Sequence, residues 1–170
     1  MLNALPSLIE LNHLFDLKDG ELFWKNPTSS RIKKGQKVGA INNQNCLNTR
    51  INNKNYLVHR LIYKMVYNEE PFYVDHIDGN RLNNHPSNLR NATPSQNMQN
   101  MPSRKSSNGC KNVNWNIKSK KWKVTIRCNN KAHSFGYYHD IELADLVAHE
   151  ARDLMHGKFA NHKAALKGNA

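Results

Sequence analysis

The stretch Val74-Asp75-His76-Ile77-Asp78-Gly79-Asn80-Arg81-Leu82-Asn83-Asn84-His85-Pro86-Ser87-Asn88-Leu89-Arg90-Asn91-Ala92-Thr93-Pro94-Ser95-Gln96-Asn97 decides how this chain reads. Tyr73 to Ile77 is aromatic and β-branched and stops at the turn-forming run Asp78-Gly79-Asn80, which predicts a strand ending with Asp75 and His76. Thr93-Pro94-Ser95-Gln96 sets an N-cap residue, a proline at the first helical position and a glutamine three residues after the cap. That is a helix start, and it places Asn97 in the first turn. Strand, loop and helix together offer a carboxylate, an imidazole and an amide oxygen, the donors of a one-metal phosphodiesterase site. Adjacent strand residues point to opposite faces, so Asp75 and His76 both serve one phosphate only if they approach from different sides or the strand distorts there. Read blandly, the same Asp, Asn and Gly residues make only a turn. EF-hand spacing fails, because counting from Asp75 the third residue is Ile77 and the twelfth is Pro86.

Over residues 56 to 100 the sequence resembles the ββα-metal, His-Asn-His (HNH) endonucleases carried by phages and introns. The resemblance implies Asp75 and Asn97 as metal ligands, His76 as general base and Asn88 as the residue that holds the imidazole. Asp and Asn stand where the family's name puts His. Oxygen ligands favour Mg²⁺ or Mn²⁺ over Zn²⁺.

Outward from the motif, Val58, Leu61, Ile62, Met65 and Val66 share one helical face and predict a core helix. Its His59 and Arg60 match a Val-His-Arg-Leu segment of similar proteins and are candidate phosphate contacts, together with Arg81 and Arg90 of the motif. Leu8, Leu11, Leu14 and Phe15 predict a short amphipathic helix. Short strand-like pieces from Glu21 to Ile51, separated by Gly, Asn and Lys, predict a small β-meander.

The polar, basic segment 101–107, with Arg104 and Lys105 as candidate DNA contacts, reads as a linker. Beyond it, Trp122, Val124 and Ile126 alternate with Lys121, Lys123, Thr125 and Arg127, the mark of a half-buried strand with one cationic face. Lys111 to Trp115 and His133 to Tyr138 flank it as further strands, with Asn129-Asn130 as a turn. Asp140 caps a helix whose Leu143, Leu146, Val147, Leu154 and Met155 are expected to form its packed stripe, ended by Gly157. The nine basic residues from Arg104 to Lys131, with no acid among them, predict a DNA-facing sheet. With Gly109, Val113-Asn114-Trp115, Phe135-Gly136 and His156-Gly157-Lys158-Phe159-Ala160, residues 108 to 161 resemble the Apetala-two DNA-binding domain. That resemblance implies Lys111, Asn114, Lys121, Thr125, Arg127 and Ser134 as DNA-facing positions, beside Lys123.

The formal charge of +12 favours a polyanionic partner. Cys46, Cys110 and Cys128 form no CxxC pair, which supports neither a zinc ribbon nor a disulfide framework and fits a reducing cytosol. No apolar run reaches membrane-spanning length. The expectation is an α+β chain: an HNH nuclease domain in 1–100 with its motif in 73–100, a linker in 101–107, an Apetala-two-like domain in 108–162 and a tail in 163–170. The expected function is metal-dependent, homing-type cleavage of double-stranded DNA by a cytoplasmic monomer or weak dimer, in the host cytoplasm if the chain is phage-encoded. The alternative is a DNA-binding regulator with a vestigial nuclease fold. An RNA-directed enzyme is disfavoured by a module built for a duplex groove.

Overall fold

A computed structural model describes residues 4–101 and 108–162. Arg104, Lys105 and the 163–170 tail lie outside the described residues. By contact the chain divides into two compact units, 1–93 and 94–170, each with its own core.

The first unit opens with α1 (Leu8–Leu14), whose first turn is capped by Ser7, its Oγ accepting from Glu10 N–H at 3.1 Å. The hairpin β1 (Phe15–Lys18) and β2 (Glu21–Trp24) follows. Next comes a three-stranded meander of β3 (Ala40–Ile41), β4 (Leu47–Ile51) and β5 (Lys54–Leu57). Asn52 and Asn53, both at positive φ, make the two-residue turn between β4 and β5, a conformation asparagine tolerates better than most side chains. The chain runs from β5 directly into α2 (Val58–Tyr67), which ends at Asn68 in the left-handed region. The expected apolar face is there in Val58, Leu61 and Ile62, all within 1% of full burial. Val66 is the exception, exposed near the helix end, whereas His59, Arg60 and Tyr63 are buried instead.

The unit closes with the antiparallel pair β6 (Tyr73–His76) and β7 (Leu89–Ala92). Val74 and Leu89 carry this pair into the core formed by Leu11, Leu14, Phe15, Trp24, Leu61 and Ile62.

The second unit begins with α3 (Pro94–Asn100), starting at the proline as its fixed φ allows. An antiparallel sheet of β8 (Val113–Asn116), β9 (Lys121–Cys128) and β10 (Lys131–Tyr138) has β9 in the middle. Asn129 and Asn130 turn the chain at positive φ between β9 and β10, as read from sequence. Helix α4 (Ile141–His156) packs on the sheet, capped by Asp140, whose Oδ1 accepts from Glu142 and Leu143 N–H.

The packed stripe of α4 differs from the expected one, of which Val147 packs partly buried against the core. Its buried residues are Ala144, Ala148, Ala151 and Arg152, while Leu143, Leu146 and Leu154 are 48%, 60% and 77% exposed. Small side chains let the helix lie close on Val113 and Val124, and close approach there excludes the leucines. Among the described residues no helix is long and apolar enough to cross a membrane.

Candidate active site on the β6–β7 pair

Asp75 and His76 are consecutive on β6, and each is 5% exposed. Register sets Asp75 opposite Arg90 and His76 opposite Leu89, so alternation hands the two side chains to different partners. Arg90 donates to Asp75 Oδ2 from Nε at 2.8 Å and from Nη2 at 2.7 Å. His76 Nε2 lies 2.9 Å from Asn84 Oδ1. An amide oxygen can only accept, so in this contact Nε2 carries the hydrogen.

The loop from Ile77 to Asn88 holds its shape through amides gathered on Asp78. Asp78 Oδ1 accepts from Asn80 N–H at 2.7 Å and from Asn88 Nδ2 at 3.0 Å, and Asp78 Oδ2 accepts from Asn83 Nδ2 at 2.8 Å. Burial raises the Asp78 pKa and these donors lower it; the balance is downward, so the carboxylate stays charged. Asn88 also donates to Asn83 O and accepts from Asp78 N–H. Its amide is therefore committed to the loop. The expected brace of the imidazole, Asn88, is corrected to Asn84.

Asn84 is 4% exposed and rests against the β1–β2 turn. Gly20 there sits at φ +77, and a Cβ on it would stand 2.6 Å from His85 Cα and 3.1 Å from Asn84 C. Any larger residue would push the segment that holds His76. Four asparagines crowd this loop, and spacing alone does not say which one meets the ring.

Behind His76 lies His59, its ring edge-on at 4.9 Å between centroids. Burial, then the nearby charges of His76, Arg60 and Arg81, push its pKa down to about 3, so it is neutral at ordinary pH. Among the described residues its Nδ1 has no hydrogen-bond partner. His59 is thus corrected from a phosphate contact to a buried neighbour of the candidate base. Arg60, 7% exposed, is corrected likewise: it donates to Pro71 O at 3.3 Å and lies 3.7 Å from Glu70. Arg90 faces Asp75 rather than solvent. Arg81 is exposed, with Nη1 on Gln44 O at 3.0 Å.

In the second unit, strand register gathers Asn114 opposite Lys123, Thr125 opposite Ser134, and Lys123 opposite Tyr137 on one face, with Lys121 and Arg127 in alternation on β9. Lys123 Nζ stands 5.6 Å from the Tyr137 ring centroid. Val124 and Ile126, the residues between, are fully buried.

Lys111 does not join that face. Its Nζ donates to the carbonyls of Gln99 at 3.2 Å, Met101 at 2.7 Å and Asn161 at 3.0 Å. Burial and the charge of Arg152 lower its pKa to about 8. Three carbonyls around one ammonium make it a clamp on the end of α3, which corrects the expected DNA contact. Asn161 Nδ2 adds a bond to Asn100 Oδ1 at 3.3 Å. Asn97 lies half-buried on this anchored helix.

A family model described as HNH endonuclease matches residues 56–99. Protein 3.8 of Escherichia phage T7 is 37% identical over 93 residues, 54% of this chain and 76% of that protein. A Bacillus subtilis (strain 168) protein named "SPbeta prophage-derived putative HNH homing endonuclease YosQ" is 52% identical over 46 residues, 26% of this chain and 27% of that one. "Uncharacterized HNH endonuclease L560" of Acanthamoeba polyphaga mimivirus is 32% identical over 106 residues, 61% of this chain and 54% of its own length. The match thus spans about half or less of these last two relatives. No solved structure matches the chain.

Proposed function

The chain belongs to the family of Protein 3.8 of Escherichia phage T7 and carries an HNH endonuclease domain in residues 56–99; from that premise we propose that it hydrolyses phosphodiester bonds of duplex DNA as a metal-dependent, homing-type endonuclease. The observation that carries this reading is the pair Asp75 and His76, a buried carboxylate and a buried imidazole on adjacent residues, each clamped by its own partner. Burying polar groups is costly, and such clusters are kept where chemistry uses them.

Mg²⁺ or Mn²⁺ is the proposed cofactor. The donor set fits a hard ion that keeps much of its water and needs only one or two carboxylates, here that of Asp75. It does not fit zinc, since among the described residues no three His, Cys, Asp or Glu side chains gather as ligands. Asn97 is retained as second ligand on the family resemblance. The ion, when bound, stabilises charge on the scissile phosphate and the departing 3′ oxygen. His76 Nδ1 takes the proton of the attacking water as general base, with Asn84 fixing tautomer and ring.

The outer face of β8, β9 and β10 holds the duplex in this proposal, Lys121 and Lys123 on phosphates and Arg127 within reach of a base edge. A monomer or weak dimer acting in the host-cell cytoplasm completes it. Incubating supercoiled plasmid with the full chain, with and without Mg²⁺, and mapping the ends tests the reading. Metal-dependent nicked or linear product is expected. Retention of DNA without any cut would instead identify a regulator with a vestigial nuclease.

A further inference from the structure

Strand β10 pairs with β9 through a break in register: Ser134 lies opposite Thr125, but Gly136 is the residue opposite Val124, so Phe135 is an extra residue. Such a bulge reverses which face every later side chain takes. Without it Gly136 would meet Lys123, and Tyr137 would turn inward against Trp122. With it Tyr137 stands across from Lys123 on the outward face and Tyr138 across from Trp122 on the packed one. Gly136 sits at φ +116, where a Cβ would come 2.8 Å from the Tyr138 hydroxyl, and that hydroxyl donates to Phe135 O at 2.6 Å. Phe135 and Tyr138 both pack partly buried against the core, so the offset is anchored from beneath.

What the offset delivers is an aromatic ring, 45% exposed, with the Lys123 ammonium 5.6 Å from its centroid. That is cation–π distance. Among the described residues no carboxylate pairs with Lys123. A free lysine loses much rotamer freedom when its ammonium settles on a phosphate, and a ring that already confines it lowers that loss. Bulges on an edge strand such as β10 also discourage pairing with another chain, but any residue at 137 would serve that end.

We propose that Tyr137 is a positioning residue for Lys123 in duplex binding: the bulge at Phe135 turns its ring onto the cationic face, where it holds the Lys123 ammonium in place for a phosphate. This rests on the duplex reading above and adds to it a residue from outside the basic run.

The test uses the full chain and a duplex oligonucleotide of arbitrary sequence, since phosphate contacts do not depend on sequence; affinity is read by fluorescence anisotropy at low salt. Tyr137→Leu, which keeps bulk and removes the π face, should weaken binding about 2- to 5-fold, the range of an exposed cation–π contact, and Tyr137→Phe should bind as the parent does. In a Lys123→Ala background Tyr137→Leu should add nothing, because the two residues act as one. Parental affinity in a folded Tyr137→Leu, an equal loss in Tyr137→Phe, or a loss undiminished in the Lys123→Ala background would each overturn the inference. The Lys123 ε-methylene proton resonances of the parent give a readout that needs no variant. Upfield shifts from the ring that persist on the duplex support the inference, and their absence, or their loss when DNA binds, overturns it. A parent that retains no duplex removes the duplex reading and this inference with it, whereas a parent that binds duplex with Tyr137 inert removes this inference alone.

Discussion

The β6–β7 pair and the β8–β9–β10 sheet are both small and antiparallel, yet they dispose of charge in opposite ways. On β6 the polar residues Asp75 and His76 go inward, each to a designated partner. On β9 the apolar Val124 and Ile126 go inward, and Lys121, Lys123 and Arg127 alternate to the other face. The second arrangement is what the hydrophobic effect gives any half-buried strand. The first runs against it, and the loop held by Asp78, Asn83 and Asn88 exists to sustain it. Burial against preference is what the proposed chemistry draws on, and the cationic face of β9 is where the proposal seats the duplex.

Four measurements sharpen or break that contrast. The largest effect is expected from His76→Ala, which should lower plasmid cleavage by roughly 100-fold or more, the scale of a general base, with DNA affinity nearly unchanged; parental cleavage would remove His76 from the chemistry. Next is the pH dependence of the fold. His59 has a folded pKa of about 3 against an ordinary 6.5, so between those values the unfolded chain holds more protons. Its contribution is complete above pH 6.5 and falls by about 1.4 kcal/mol per unit as pH drops toward 3. Denaturant melts of the parent and His59→Gln across that range should show a flatter slope in the variant.

Packing under the second sheet gives a third, smaller effect. Ala148→Leu should cost about 1–3 kcal/mol by overpacking, whereas Leu154→Ser should stay within about 0.5 kcal/mol. Comparable losses from both in thermal melts would restore the leucine stripe as the core face. The smallest effect is electrostatic. Lys123→Ala should reduce the log–log salt slope of DNA binding by about 0.9 as a phosphate contact, without loss of stability. Arg60→Met, altering a buried cation, should leave the slope alone and change the melting temperature. A slope moved by Arg60 and untouched by Lys123 would invert the division between the two sheets.

Much of this was legible in the sequence because it depends on period and punctuation. The strand at Tyr73, the helix opening at Pro94, the alternation along β9 and the Asn129-Asn130 turn all follow from local rules. What stayed hidden depends on which of several equivalent groups wins a contact. Leucine outranks alanine in any hydrophobic count, yet α4 turns alanines to the sheet because the available depth is small. Asn84, Asn83 and Asn88 are chemically identical, and only the path of the loop against Gly20 selects the one that meets His76. Lys111 resembles every other lysine of its basic run until three carbonyls converge on it.

The clamp at Lys111 also bears on how this chain could be recombined with others. The HNH match runs from residue 56 to 99, but the contact division falls at Thr93 and Pro94, inside it. Helix α3 is received by Lys111 and Asn161, residues that no copy of the motif alone would bring along. A chimera spliced at residue 100, where the motif ends, would transplant a helix without its seat. A seam placed beyond residue 162 would move both together, so the piece that folds as a unit around α3 is longer than the motif by which the family is recognised.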